Sequence, residues 1–140
     1  MKFKLPLLAI ITTSFLTGCF SRPISVYEAE QAPNNRIFKY QTPSESKIIV
    51  VRDKGIAGSG CYASIFINGE TVAKLNAGEK AVFHVSAGDW ILGASIQGAG
   101  LCALNPTRME RETITKPGDT KVFRTFTSTA GDIDILPSTL

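Results

Sequence analysis

Few residues in this 140-residue chain could carry covalent or metal chemistry. It contains three cysteines, Cys19, Cys61 and Cys102, and a single histidine, His84. A structural zinc site needs four nitrogen or sulfur ligands, and no residue near Cys61 or Cys102 in the sequence completes such a set. We therefore predict no metal site and no cofactor. The cysteines are the residues at which we expect covalent modification.

The other candidates for catalysis are a serine, the histidine and two carboxylates. A Ser-His-Asp triad that uses His84 stays open, but Ser59 lies in a Gly-Ser-Gly sequence without the spacing of a nucleophile elbow. His84 falls in the middle of a predicted strand and is expected to face solvent. Asp132 and Asp134 stand two positions apart and supply too few oxygens for a calcium cage. The sequence therefore predicts no catalytic residues and no enzyme.

Cys19 follows a stretch that is typical of a secretion signal. Lys2 and Lys4 supply a positive start, and residues 5–16 then run without a charge. About 12 residues is the length of a signal core, whereas a membrane-spanning helix needs roughly 20. The small dipeptide Thr17-Gly18 comes directly before Cys19, and small side chains leave a peptidase room at its cleavage site.

The sequence Leu16-Thr17-Gly18-Cys19 resembles the lipobox of bacterial lipoproteins. This resemblance implies that residues 1–18 are removed, that the Cys19 thiol is joined to diacylglycerol and that its new amino group is acylated. Two or more acyl chains hold a protein firmly on a membrane. Phe20 stands where some inner-membrane lipoproteins carry Asp, so the resemblance favours an outer-membrane anchor that faces the periplasm. The alternatives are an uncleaved anchor, or an ordinary secretion signal followed by a chance cysteine.

If Cys19 carries lipid, Cys61 and Cys102 remain as a pair in a compartment that permits disulfides. A bond between them would close a loop of about 42 residues, worth about 4 kcal/mol in the loop-entropy estimate. We predict a structural disulfide; the alternative is two buried free thiols.

The charge of the chain argues against nucleic acid as a partner. The formal net charge is +3, but without Lys2 and Lys4 the balance is 13 basic to 12 acidic side chains. No block of like charge appears, so there is no electrostatic case for binding nucleic acid or anionic lipid.

Residues 19–46 are predicted to be the lipidated N-terminus and a flexible tether. They contain Pro23, Pro33 and Pro43 and only scattered apolar residues, which cannot readily offset the entropy of ordering. As a flexible chain this segment would span about 30 Å. Two alternatives stay open for Arg36–Tyr40: packing on the domain's own surface, or docking on a partner.

Residues 47–140 are predicted to form one all-β domain. Short alternating segments are separated by turn signals every 8–12 residues, which favours an antiparallel β-sandwich of seven to eight strands. Asn68-Gly69 is a strong hairpin signal. The charged strand 109–116 suits a sheet edge, and the glycine-rich loop 55–60 lacks the Lys and Ser/Thr of a phosphate-binding loop.

The pattern over 65–75 and 82–90 resembles the DUF2846 group of bacterial lipoproteins, and more loosely PEGA-type surface β modules. It consists of a strand, the Asn68-Gly69 turn, a return strand, an apolar strand, a glycine turn and a strand that begins with Trp90. The resemblance covers about 47–136 and implies a sandwich in the cell envelope, with no enzymatic residues. The pair Cys61 and Cys102 is not part of that pattern.

Two functions follow from the sequence. The first is a membrane-anchored envelope lipoprotein with a structural or protein-interaction role, bound to membrane lipid through Cys19 and to an envelope protein partner. The second is a periplasmic module that binds a small ligand or glycan, with Tyr62 and Trp90 as candidate ligand contacts. Trp90 is also expected to be a core anchor, because it opens an apolar strand after a Gly-Asp turn.

Overall fold

A computed structural model describes residues 21–140 of the chain. This part contains nine β-strands and two short 3-10 turns, at Asn34–Arg36 and Gly100–Ala103. The strands are β1 (Glu30–Gln31), β2 (Ser46–Arg52), β3 (Ala63–Ile67), β4 (Glu70–Leu75), β5 (Glu79–Val85), β6 (Gly88–Ile96), β7 (Met109–Thr115), β8 (Thr120–Thr127) and β9 (Ile133–Pro137). The all-β fold class predicted from the sequence is confirmed.

The strands form two sheets that pack as a β-sandwich. One sheet has the order β1-β5-β2-β8-β9 and the other has the order β4-β3-β6-β7. Most pairs are antiparallel, as predicted, but β1–β5 and β2–β8 are parallel. The β2–β8 pair is parallel because the chain builds the four-stranded sheet between these two strands and returns in the same direction. The predicted domain contains eight strands, β2 to β9, in agreement with the expected seven to eight, and β1 precedes it.

The core lies between the two sheets and follows the alternation of the strands. In β5, Ala81, Phe83 and Val85 are buried while the residues between them are partly exposed. Side chains from both sheets meet in one cluster, which includes Ile48, Val50, Phe83, Phe123, Ile65, Ile67 and Leu92. Burial of these apolar surfaces is the main favourable contribution to the stability of the fold.

The structure confirms the predicted Asn68-Gly69 turn and the predicted edge strand. Asn68 and Gly69 have φ angles of 48° and 81°, which is the left-handed conformation that an Asn-Gly hairpin requires. Strand β7 lies at the edge of its sheet, as its charged side chains predicted.

The flexible tether predicted for residues 19–46 is wrong for the part that the structure describes. Ile24, Ala29, Ala32 and Ile37 are buried, and β1 pairs with β5. The physical reason lies in β2, whose outward-facing Ile49 and Val51 are apolar and need a cover. Packing of the N-terminal segment supplies that cover, because Val51 is buried in a small cluster with Ile24 and Ala29, against which Val26 and Ile49 pack.

The stretch Arg36–Tyr40 packs on the domain itself, which was one of the two alternatives left open. Ile37 forms a bridge with Ala73, and the ring of Tyr40 lies edge-on to Trp90 with 5.7 Å between ring centroids. This stretch therefore closes one side of the sandwich.

A part-buried ion pair fastens this N-terminal segment to β5. The guanidinium of Arg36 donates to both carboxylate oxygens of Glu79, at 2.7 Å and 2.6 Å, and Glu79 also accepts from the backbone N–H of Asn76. Burial acts to raise the pKa of Glu79, but the hydrogen bonds from Arg36 and Asn76 outweigh it and the pKa is lowered. The pair stabilises the packed position of residues 22–40 as long as the carboxylate is ionised.

Candidate functional site

Three loops meet at one end of the sandwich, and we call this the disulfide end. It comprises residues 53–62, 97–108 and 128–132. Cys61 and Cys102 are joined there by a disulfide with a Cα–Cα distance of 5.5 Å. The predicted disulfide is therefore confirmed, and it ties the first of these loops to the second. The opposite end, with the turns 68–69, 86–87 and 116–119, is called the turn end.

Arg52, at the end of β2, organises the disulfide end from within. Its side chain is 3% exposed and donates to three backbone carbonyls, those of Gly58 (2.7 Å), Cys61 (2.6 Å) and Leu75 (2.7 Å). Burial lowers the pKa of Arg52 to about 10, against the opposing effect of the Glu79 charge. The guanidinium thus holds the loop 53–62 against the end of β4. Sequence reasoning missed this role.

A second buried charge lies next to Arg52 in the chain. The Asp53 side chain is fully buried and accepts a hydrogen bond of 2.9 Å from Nε of Arg124, whose guanidinium also covers the ring of Phe126. Burial raises the pKa of Asp53, and the bond from Arg124 acts against that shift. The pair joins the start of the loop 53–62 to β8, so the base of this loop is held on two sides.

The disulfide end also presents three large apolar side chains to solvent. Leu101 is 83% exposed, Leu104 is 76% exposed and Ile56 is 72% exposed. All three line one open hollow of about 420 Å³ together with Cys61. Exposed apolar residues that occur singly are normal, but a group of them on one rim marks a contact surface.

Tyr62 and Trp90, the candidate ligand contacts, do not form one site. Tyr62 precedes β3 at the disulfide end, and the guanidinium of Arg36 covers its ring at 5.1 Å. Trp90 lies near the turn end, packs against the core and donates through Nε1 to the carbonyl of Ser86 at 3.1 Å. The interpretation of Trp90 as a core anchor agrees with this packing. The contact of Trp90 with Tyr40 was not predicted from the sequence.

Trp90 also lines an open groove at the turn end. The groove has a volume of about 610 Å³ and combines apolar and charged side chains, namely Ile91, Ile114, Asp89, Glu112, Lys121, Asn68, Thr113 and Trp90 itself. It offers one aromatic face with acidic and basic groups near it, which suits a small polar ligand or a peptide.

The residues considered for catalysis or metal binding are not brought together. Ser59 lies in the loop 53–62 and donates to the carbonyl of Ile56 at 2.9 Å, whereas His84 pairs with Lys47 at the other end of the sandwich. Asp134 accepts two hydrogen bonds of 3.0 Å from Arg111. Among the described residues, no group of three or more His, Cys, Asp and Glu side chains is placed to hold a metal ion.

Comparisons with known protein families, curated proteins and solved structures found no match to this chain. Its class therefore follows from its own features: it is a disulfide-bonded β-sandwich. The lipobox and DUF2846 resemblances rest on sequence pattern and remain predictions, and Cys19 lies outside the described residues. Within 21–140, no helix is both long enough and apolar enough to cross a bilayer.

Proposed function

We propose that this chain is a bacterial envelope lipoprotein, anchored through lipid on Cys19, whose sandwich has a structural or protein-interaction role without catalysis. The observation that carries the proposal is the sequence Leu16-Thr17-Gly18-Cys19 at the end of a short apolar run. The proposal includes an outer-membrane location facing the periplasm and membership of the DUF2846-like group.

The disulfide and the surface charge support this proposal. A disulfide persists in oxidising compartments such as the periplasm and is rare in the cytosol. The nearly neutral balance beyond the signal leaves nucleic acid without an electrostatic attraction. A small sandwich whose candidate catalytic side chains lie apart is better suited to binding than to chemistry.

The anchor is tested by mass spectrometry of the N-terminal peptide from protein isolated from membranes. The expected result is a peptide that begins at Cys19 and carries diacylglycerol and an acyl chain. A Cys19→Ala variant should leave the membrane fraction or keep its signal peptide. An unmodified Cys19 in membrane-isolated protein would refute the anchor.

The partner is tested by crosslinking in intact cells, with a photoreactive residue placed at Ile114 of the turn end. Ile114 is exposed, so the substitution should not disturb folding. One envelope protein should be captured by the native form and lost or reduced in the Cys19→Ala form. Capture of no protein by either form would favour ligand binding instead.

Ligand or glycan binding is the second candidate, and the Trp90 groove is the observation that favours it. Trp90 is the only tryptophan and lines this groove, so a ligand bound there should change its emission. A saturable change in emission on titration with peptidoglycan fragments or small glycans would support this function. Its loss in a Glu112→Gln variant would place the ligand in the groove.

A further inference from the structure

The apolar patch formed by Ile56, Leu101 and Leu104 has no cover in the described part of the chain. Each of these side chains is more than two-thirds exposed, and all three share one hollow. The loops that carry them are held by the disulfide and by Arg52, so the patch does not collapse onto the core. Such a fixed apolar surface in water is unfavourable unless something covers it.

The N-terminal part of the chain enters the fold beside this patch. Arg22 pairs with Lys54 in an antiparallel bridge, and the carbonyl of Arg22 accepts from the N–H of Lys54 at 3.0 Å. Lys54 lies in the same loop as Ile56, two positions before it. The packed segment therefore runs away from the disulfide end, and Arg22 lies at that end.

The distance from Arg22 to Cys19 is limited by covalent geometry. Three residues along an extended chain span at most about 11 Å, whatever conformation they adopt. A lipid on Cys19 would therefore hold the disulfide end, rather than the turn end, next to the bilayer. A flexible tether of about 30 Å would have allowed the domain any orientation on the bilayer. Residues 22–40 are packed on the domain instead, so they do not act as such a tether.

We propose that the disulfide end is a membrane-contact surface, with Ile56, Leu101 and Leu104 inserted at the boundary between lipid headgroups and acyl chains. This proposal rests on the lipid anchor proposed above. Apolar side chains at that boundary are buried about 5–10 Å below the headgroup surface, within the reach of loop-tip residues. Arg22 and Lys54 are exposed at this end of the fold.

Bilayer lipid is a better occupant than a protein because of where the anchor lies. Once the acyl chains on Cys19 enter the bilayer, Cys19 lies at the headgroup level, at most about 11 Å from Arg22, and the patch is already at the membrane. A protein partner or a second copy would have to fit between the domain and the bilayer. A protein on the patch remains a distinguishable outcome of the experiment.

The experiment measures the depth of a tryptophan in the anchored protein. Full-length lipidated protein is reconstituted into phosphatidylcholine vesicles with or without brominated acyl chains, which quench tryptophan emission on contact. The parent chain, with Trp90 alone, sets the baseline at the turn end. A second tryptophan is then added by Leu101→Trp in the patch, or by the matched control Ile114→Trp, which replaces another exposed apolar residue at the turn end.

The Leu101→Trp protein should lose most of its added emission to the brominated chains, while the parent and the Ile114→Trp protein lose little. Equal quenching at the two positions, or none at Leu101→Trp, would overturn the orientation. Emission at Leu101→Trp that is shifted to the blue but not quenched would assign the patch to a second copy of this chain, the only protein in the vesicles, and would overturn the membrane contact. Mass spectrometry of the same samples separates the two proposals. Lipid on Cys19 without quenching refutes only the membrane contact, and absent lipid refutes both.

Discussion

Replacement of Arg52 by methionine gives the sharpest test of what holds the disulfide end together. Arg52→Met keeps most of the side-chain length but removes every donor. The three carbonyls of Gly58, Cys61 and Leu75 then lose their partner. The bond to Leu75 is buried, whereas those to Gly58 and Cys61 are part-buried and those oxygens can regain water.

The burial of each carbonyl sets the expected loss in the free energy of unfolding. A buried acceptor left without a partner costs about 1–3 kcal/mol, and a partly accessible one costs less. The substitution also removes the cost of burying the guanidinium, a cost reflected in the lowered pKa of Arg52. The balance predicts that Arg52→Met lowers the free energy of unfolding by about 3 kcal/mol.

Urea unfolding of the chain without its signal and anchor, followed through Trp90 emission, measures this free energy. The control is Lys47→Met, an exposed site on the same strand, where a change within about 0.5 kcal/mol is expected. If Arg52→Met is as stable as the parent or more stable, the burial cost of the charge exceeds the value of its three bonds. Arg52 would then not be the residue that stabilises this end.

Three further predictions concern the disulfide and the N-terminal segment. Cys61→Ala combined with Cys102→Ala should lower the free energy of unfolding by about 4 kcal/mol, and a loss below about 1 kcal/mol would show that the loops hold without the bond. The folded-state pKa of Glu79 lies below its ordinary value of 4.5, so its stabilisation is present above that pH and lost as the pH falls through the folded-state pKa. Glu79→Gln should cost about 2 kcal/mol at neutral pH and flatten the acid side of a stability-against-pH curve; an unchanged curve would contradict this. Ile24→Ala should cost about 2–4 kcal/mol, whereas Tyr27→Ala, at a 96% exposed site, should cost less than about 0.5 kcal/mol. Equal effects at these two positions would contradict the packing of this segment.

Features that depend on neighbouring residues could be predicted from the sequence. The alternation of Ala81, Phe83 and Val85 places β5 with one face in the core, and Asn68-Gly69 sets the hairpin, because strand period and turn conformation are local. The disulfide followed from the cysteine count once Cys19 was set aside. Strand pairing in the sandwich could not be predicted, since the parallel contact of β2 with β8 depends on how the chain crosses between the sheets.

The packing of the N-terminal segment was missed although one signal for it was present. Ile24, Ala29 and Ile37 follow no helix or strand period, so nothing local marks them as buried. The signal lay in β2 instead, where consecutive apolar residues predict a strand that is covered on both faces. The role of Arg52 was missed for a related reason: its partners are backbone carbonyls of distant residues, and a carbonyl has no signature in a sequence.

The two proposals place the two ends of the sandwich in different surroundings. Strand β6 has nine residues and runs from the turn end towards the disulfide end, which separates the two ends by about 30 Å. If the disulfide end lies on the bilayer, the Trp90 groove faces away from it, into the aqueous space where a protein or glycan can reach it. A photoreactive residue at Leu101 should then capture phospholipid, and one at Ile114 should capture the partner. Capture of the same protein at both positions would contradict this division, because a membrane-facing end is closed to soluble partners.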